Sequence, residues 1–416
     1  MAKIKEILQD SNPWWKEEFK IEFRERDIYK QIQKFIALPQ VIALTGLRRV
    51  GKTTLMLKLV EDSIKEGFDA KNIIYFSFDE FREVEIRRVM REYEEIMEKD
   101  FRKGRYLLLL DEIQKLRNWE DQLKTIYDAF KGRIKIIISG SESLFIKRKS
   151  KETLAGRIFE FKVESLSFKE FLLFRGVRFK SVGLYERELT KLFNEFTLTQ
   201  GFPELVEVKE KDIIRKYIRD SIVEKVVYRD IPKLFKIKDT THIDSLLRII
   251  MEEPGQLIEI SGLAKELKIS RQTLSNYLSY LEESFLVRKL YNFSKSRRKV
   301  ERKLKKYYPT IVSVDLLFRE DDLSKSKIFE WLIVNQLKAE FFWRDPYKNE
   351  VDIVIADKRP VAIEIKYGKI DFKGLFVFMK KFGVNKAYII SKEKEEKRKI
   401  DGKTVSIIPA FKFLLK

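Results

Sequence analysis

Residues 46–53 read Gly-Leu-Arg-Arg-Val-Gly-Lys-Thr, two glycines separated by four residues and closed by a Lys-Thr pair. This segment constrains the fold tightly, because it works only at a strand-to-helix turn. Its flanks supply both halves. Val41–Thr45 is a β-branched run of the kind that makes a buried strand, and residues 54–65 have helical apolar spacing. In that setting backbone N–H groups and the helix N-terminus face phosphate oxygens. The expected nucleotide-contacting set is therefore Gly46, Leu47, Arg48, Arg49, Val50, Gly51, Lys52, Thr53 and Thr54. Lys52 would reach the β- and γ-phosphates, and the Thr53 hydroxyl would take one position on Mg²⁺. ATP and Mg²⁺ are the implied cofactors.

A second segment fits the first. Residues 106–112, YLLLLDE, read as a buried parallel strand ending in two carboxylates at the edge where open α/β sheets bind ligands. Asp111 is expected to hold Mg²⁺ and Glu112 to polarise the attacking water. A third strand over residues 134–139 runs into SGSES, where the Ser141 hydroxyl is placed to sense the γ-phosphate; Ser and Gly after a strand also serve simply as turn residues.

GLRRVGKTT, LLLLDEIQ, ISGSES, LAGRI at 154–158, SLSFKEF at 165–171, GFPEL at 201–205 and VVYRDIP at 226–232 together resemble the AAA+-type ATPases of archaea and bacteria, in the signal-transduction branch related to origin-recognition ATPases. The resemblance implies an arginine-finger role for Arg157, and a helical lid that brings Pro203 near the nucleotide base. An Arg in a Gly-Arg pair also serves as an ordinary salt-bridge residue.

After Pro254-Gly255 the pattern changes. A strand-like entry precedes a helix over residues 261–267, a turn at 268–270 and a helix over 271–283, which is helix-turn-helix spacing. Ser270 would cap the second helix, and Arg271, Gln272, Thr273, Ser275 and Asn276 form a polar set on its first turns. Residues 288–306 hold ten Lys or Arg against one Glu. With Arg297, Arg298 and Lys299 at its centre, that run is expected to form the hairpin wing of a winged helix and to touch phosphates. A winged helix also serves as a protein-contact module.

The last hundred or so residues carry a different pattern. A strand over residues 349–356 and a partner over 361–367 would bring Asp352 beside Glu364 and Lys366, the latter two on one face. Two carboxylates and a lysine in the order D-x11-E-x-K resemble the PD-(D/E)XK nuclease superfamily, in which such carboxylates hold Mg²⁺ and the lysine assists attack on a phosphodiester. Glu330, on the preceding amphipathic helix over 325–339, matches the additional acidic residue of some members.

The 416 residues divide in expectation into a lead-in (1–38) whose Trp14 and Trp15 pack on the sheet, a P-loop parallel-sheet ATPase core (39–161), a helical lid (162–239), a winged helix (240–310) and an α/β restriction-endonuclease-like domain (311–416). There is no Cys and a single His, His242, so disulfides and Cys- or His-cluster metal sites are excluded. A net charge of +21 points to a polyanionic partner. The expected partner is DNA, duplex or branched, with homo-oligomer formation left open. With neither a signal peptide nor a membrane-length apolar run in view, no membrane partner and a cytoplasmic location are expected. Lys and Glu enrichment suggests a hyperthermophile. The Lys/Glu run at 391–399 reads as a solvated loop or helix end. The expected activity is Mg²⁺-dependent ATP hydrolysis coupled to DNA binding or processing; the alternative is a nucleotide switch or scaffold that binds proteins and carries an inactive nuclease-like module.

Overall fold

The structure is a computed structural model that describes residues 4–79, 81, 83–141, 152–400 and 402–416. It comprises two compact units, residues 1–165 and 166–416. The Glu142-Ser143 end of the SGSES segment lies outside the described residues. Among the described residues no helix is long and apolar enough to cross a membrane.

The first unit is built on a parallel sheet of order β2-β3-β4-β1-β5, comprising β1 (Val41–Thr45), β2 (Ile73–Ser77), β3 (Tyr106–Asp111), β4 (Ile134–Gly140) and β5 (Ile158–Lys162). β1 and β3 are buried at every position, and so they read as continuous apolar runs. Helices α1 (Ile4–Ser11), α2 (Asp27–Gln33), α3 (Lys52–Lys65), α4 (Ile86–Met97) and α5 (Trp119–Phe130) accompany it. Because β4 lies between β1 and β3, the carboxyl ends of three neighbouring strands share one edge. Trp14 and Trp15 pack as expected: both are buried, and each indole N–H donates to the Ile73 carbonyl of β2, at 3.0 and 2.7 Å.

The second unit opens with α6 (Phe168–Phe174), closed by a Ser167–Glu170 capping box, followed by α7 (Glu186–Thr199), a helical stretch over 211–235 and α8 (Thr241–Glu252). Next come α9 (Ile260–Glu266) and α10 (Arg271–Glu283), at nearly the expected bounds. They accompany β6 (Gln256–Ile258), β7 (Val287–Asn292) and β8 (Lys305–Pro309), with β8 antiparallel to both other strands. The basic run supplies both strands of the β7–β8 hairpin at its two ends, but its middle is not a hairpin tip. Its centre folds as α11 (Arg297–Arg302), because Arg, Lys and Glu favour helix and Val300 gives the turn a buried anchor. The remaining edge of β7 pairs in parallel with β9 (Phe341–Arg344).

Three more segments depart from expectation. α12 (Asp322–Gln336) is not amphipathic: Ile328, Phe329, Trp331, Leu332, Ile333 and Val334 are buried around most of its circumference. The strand expected over 349–356 breaks at Asp352 into β10 (Glu350–Val351), on β9, and β11 (Ile353–Ile355), on β12 (Val361–Lys366). The break follows from the Asp352 side chain, which accepts the Ile365 N–H at 2.7 Å. The charged run at 391–399 contributes β14 (Glu396–Ile400), the edge of a sheet ordered β11-β12-β13-β15-β14, with β13 (Lys386–Ser391) and β15 (Lys403–Pro409). Charged side chains are what keep an exposed edge from pairing with another chain. α13 (Lys373–Phe382) connects the parallel strands β12 and β13. One apolar core, containing Phe168, Phe196, Leu290, Tyr308, Trp331, Ile365 and Phe411, joins α6 and α7 to β7, β8, α12 and the carboxy-terminal sheet.

Candidate functional site

The chain leaves β1 at Thr45 and turns at Gly46, where φ is +146° and a Cβ would lie 2.1 Å from the Val163 carbonyl oxygen. Only glycine fits there. Gly51, at φ +94°, caps the start of α3 and turns the chain into it. The buried Lys52 ammonium donates to the Gly46 and Leu47 carbonyls, both at 2.9 Å, so it sits inside the loop it serves.

Asp111 is the centre of the neighbouring edge. Its Oδ2 accepts from Thr53 Oγ1 at 2.7 Å and from the Tyr75 hydroxyl at 2.8 Å; its Oδ1 accepts from Ser139 Oγ and from Glu112 N. Burial, and then the Asp111 charge, push the Tyr75 phenol well above its usual range, so it remains a donor. Glu112 follows in a left-handed turn, φ +52°. Its Oε2 accepts from Gln114 Nε2 at 2.6 Å and Ser141 Oγ at 3.2 Å. Lys52 and Thr53, at the start of α3, and Asp111, Glu112 and Ser141, at or just past the ends of β3 and β4, are thus gathered at one edge of the sheet.

Arg157 is not part of that group within one chain. It precedes β5, whose first residue pairs with Val41, so it stands at the opposite end of the strands, about 16 Å away by strand rise. Its guanidinium is bonded to Asp128, Nε to Oδ1 at 3.0 Å and Nη2 to Oδ2 at 3.3 Å. Pro203 belongs to the second unit, where it opens a single 3-10 turn.

Four residues of the nucleotide edge carried no signal strong enough to single them out. Tyr75 and Ser139 hold Asp111, and Gln114 bridges Glu112 and Ser141. Arg26, from the lead-in, donates to the Val50 and Glu164 carbonyls at 3.0 and 2.9 Å and so ties the loop to the strand exit.

On α10, Ser270 caps the helix by accepting the Thr273 N–H at 3.0 Å. Arg271, Gln272, Ser275 and Asn276 are exposed on its surface and Thr273 is half-buried, and Gln272 Nε2 donates to Asn276 Oδ1 at 2.9 Å. Arg297, Arg298 and Lys299 are exposed on α11.

In the carboxy-terminal sheet Asp352 and Glu364 are both buried, and Lys366 Nζ lies 2.8 Å from Glu364 Oε1. Burial, and then the charge of Glu364, hold the Asp352 carboxyl well above the usual range; burial likewise raises Glu364. Burial opposes the charge on Lys366, but Glu364 and Asp352 outweigh it and the ammonium is held charged. Glu364 Oε2 is buried without a hydrogen-bond partner, which suits a cation. Glu330, expected as a further metal ligand, is otherwise engaged: it accepts from the Tyr308 hydroxyl at 2.6 Å and faces Lys306 at 3.7 Å. Among the described residues no three His, Asp or Glu side chains converge as a metal-holding group.

Lys306 and Tyr308 are the two residues of this cluster that sequence reasoning missed. Lys306 sat within the basic run, yet its ammonium is buried and paired with Glu350 and Glu330 rather than exposed to a phosphate. Two-residue alternation along β8 was the available signal, since it puts Lys306 on the same face as Tyr308.

Residues 38–172 match the family model described as AAA domain; residues 190–310 and 326–412 match Domain of unknown function (DUF8612) and Domain of unknown function (DUF4143). Two proteins of Methanocaldococcus jannaschii are similar. Uncharacterized protein MJ1544 is 27% identical over 346 residues, 79% of this chain and 75% of that protein. Uncharacterized protein MJ1637 is 26% identical over 428 residues, 94% and 88% respectively. Among solved structures, AMPPCP-bound DnaA from Aquifex aeolicus is 15% identical with a TM-score of 0.31, covering 64% of this chain and 90% of that one. A score that low carries no argument. With its parallel sheet and its strand-to-helix glycine loop, the segment 38–172 forms a nucleotide-binding P-loop core of the AAA type.

Proposed function

We propose that this chain is a Mg²⁺-dependent ATPase whose nucleotide state governs a DNA-binding and DNA-processing second unit. The observation that carries the first half is the hydrogen bond between Thr53 and Asp111 beside Lys52 and Glu112. Lys52 would exchange the loop carbonyls for the β- and γ-phosphate oxygens. Thr53 and Asp111 are the pair that would hold Mg²⁺, which when bound neutralises charge on those oxygens. Glu112 would orient the attacking water and take its proton, while Gln114 and Ser141 fix its carboxylate. Phosphate release by the full chain tests this half. If Arg157 serves as a charge stabiliser, it does so for a neighbouring copy.

The second half is supported by α9 and α10, with their sheet β6-β8-β7, as a winged-helix-like module that would present Arg271, Gln272, Thr273 and Asn276 to base edges and Arg297, Arg298 and Lys299 to phosphates. Asp352, Glu364 and Lys366 would form a metal-dependent phosphodiesterase site on a restriction-endonuclease-like sheet, with the unpartnered Glu364 oxygen offered to the ion. Cleavage of single-stranded, duplex, flapped and branched DNA with Mg²⁺ or Mn²⁺, lost in Lys366→Ala while ATP hydrolysis persists, is the expected result. A second reading is favoured by the engagement of Glu330 with Tyr308 and Lys306: a nucleotide-driven switch or scaffold whose nuclease-like module binds without cleaving. Absence of cleavage on all four substrates selects it.

A further inference from the structure

A cavity of about 500 Å³ opens beside the Asp352–Glu364–Lys366 cluster, and Lys366 is one of its walls. The turn after β12, the end of β13, the segment joining it to β14 and Arg398 on β14 form the rest. None of those residues is needed to explain the cluster itself, yet their composition is one-sided. Lys369, Lys392, Lys394 and Arg398 line the space against a single lining carboxylate, Glu393. Lys369 has no ion-pair partner among the described residues, whereas Lys392 pairs with Glu393 at 3.4 Å, and Lys394 and Arg398 share Glu396 at 3.0 and 2.6 Å. Ion pairs this exposed hold their members weakly, so a phosphate can recruit the cations from them.

Two rings complete the wall. The Lys392 ammonium lies 4.9 Å from the centre of the Tyr367 ring, and the Arg398 guanidinium 5.3 Å from that of Phe372. Cations that track a backbone, set among aromatic faces on which bases can stack, are how proteins hold single strands. Glu364, which Lys366 joins to the cavity wall, keeps its buried second oxygen unpartnered.

We propose that this cavity binds a single-stranded nucleic acid, its phosphates on Lys369, Lys392, Lys394 and Arg398 and a base on Tyr367 or Phe372, and so delivers a phosphodiester to Lys366. The cleavage step rests on the phosphodiesterase reading of Asp352, Glu364 and Lys366; binding itself does not. Two DNA contacts are thereby separated in one chain: duplex on α10 and α11, single strand here.

The test uses the full chain and fluorescence anisotropy of labelled oligothymidylate and oligouridylate of about 15 nucleotides. The triple variant Lys369→Glu, Lys392→Glu, Lys394→Glu changes only exposed side chains. It should bind the single strand about tenfold more weakly or worse, with a salt slope about two units shallower, while its melting temperature and ATP hydrolysis match wild type. The corresponding triple Lys→Arg variant should bind like wild type. Arg271→Ala with Gln272→Ala should weaken duplex binding and leave single-strand binding intact. Wild-type affinity in the triple Lys→Glu variant, or no single-strand binding by the unaltered chain, overturns the proposal. Loss of single-strand binding in the triple Lys→Glu variant of a chain that never cleaves upholds it while the phosphodiesterase reading fails.

Discussion

Thr53 and Asp111, 58 residues apart in the chain, meet through a 2.7 Å hydrogen bond in which the hydroxyl donates to Oδ2. Thr53 lies in the first turn of α3, which follows β1, and Asp111 ends β3, two places from β1 in the sheet, so this contact is the product of the whole parallel core. It also leaves Asp111 surrounded by donors from Tyr75, Ser139 and the Glu112 backbone. Asp111→Ala should strand those buried donors and destabilise the fold by about 1–3 kcal/mol. The same variant should lose stabilisation by Mg-ATP, read as the rise in melting temperature that the nucleotide gives wild type. An undiminished rise would separate Asp111 from the nucleotide.

Arg157 and Asp128 form an exposed pair at the far end of the strands. The carboxyl of Asp128 is lowered by its hydrogen bond to Arg157, a local effect that solvent screens. Arg157→Ala should therefore hydrolyse ATP at the wild-type rate wherever light scattering shows the chain to be monomeric. A deficit confined to an assembled form would mark Arg157 as acting on a neighbouring copy. A deficit in the monomer would mean that Arg157 reaches the nucleotide of its own chain, against its place at the far end of the strands.

Asp352 makes a prediction about pH. Burial and the Glu364 charge raise its carboxyl above the usual range, so the native state binds that proton more tightly than the unfolded chain does. Stability from this group is present at low pH and is lost as pH rises through the raised value. In EDTA, Asp352→Asn keeps an acceptor for the Ile365 N–H and removes the buried charge. It should be more stable than wild type at neutral pH by on the order of 1 kcal/mol, about 2 °C, and the gain should vanish toward the ordinary carboxylate range. Melting curves at several pH values check this; a gain independent of pH would assign it to something other than the charge.

The P-loop and the YLLLLDE strand were legible because their chemistry depends on residues adjacent in the chain. Glu364 and Lys366 were legible for the same reason, being two apart on one strand. Tyr75, Ser139, Gln114 and Arg26 were not, since each reaches the nucleotide edge as a single polar side chain brought there by tertiary folding. Lys306 shows the opposite failure. Ten basic residues read as one electropositive surface, but strand alternation turns this member inward, where Glu330 and Glu350 hold it charged against the cost of burial. The Asp352 bend was missed because a strand pattern read from apolar alternation cannot register a side chain that replaces a ladder bond.

Arg297, Arg298 and Lys299 sit on the exposed face of α11 rather than on a β-hairpin tip. Neutralising all three should weaken duplex binding equally across sequences and flatten its salt dependence by about one unit for each phosphate no longer engaged. Titrations at several salt concentrations read the slope. An unchanged slope would show that α11 does not touch the duplex.

The most direct measurement is steady-state phosphate release by the purified full chain with Mg²⁺ and ATP, wild type beside Glu112→Gln and Lys52→Ala. Glu112 is held by Gln114 and Ser141, so the amide fills the same space and removes only the proton acceptor. Glu112→Gln should retain nucleotide binding and slow turnover by about 10²–10⁴-fold, and Lys52→Ala should lose binding as well. Turnover in Glu112→Gln equal to wild type, or no hydrolysis by wild type with or without DNA, would contradict an ATPase built on this edge.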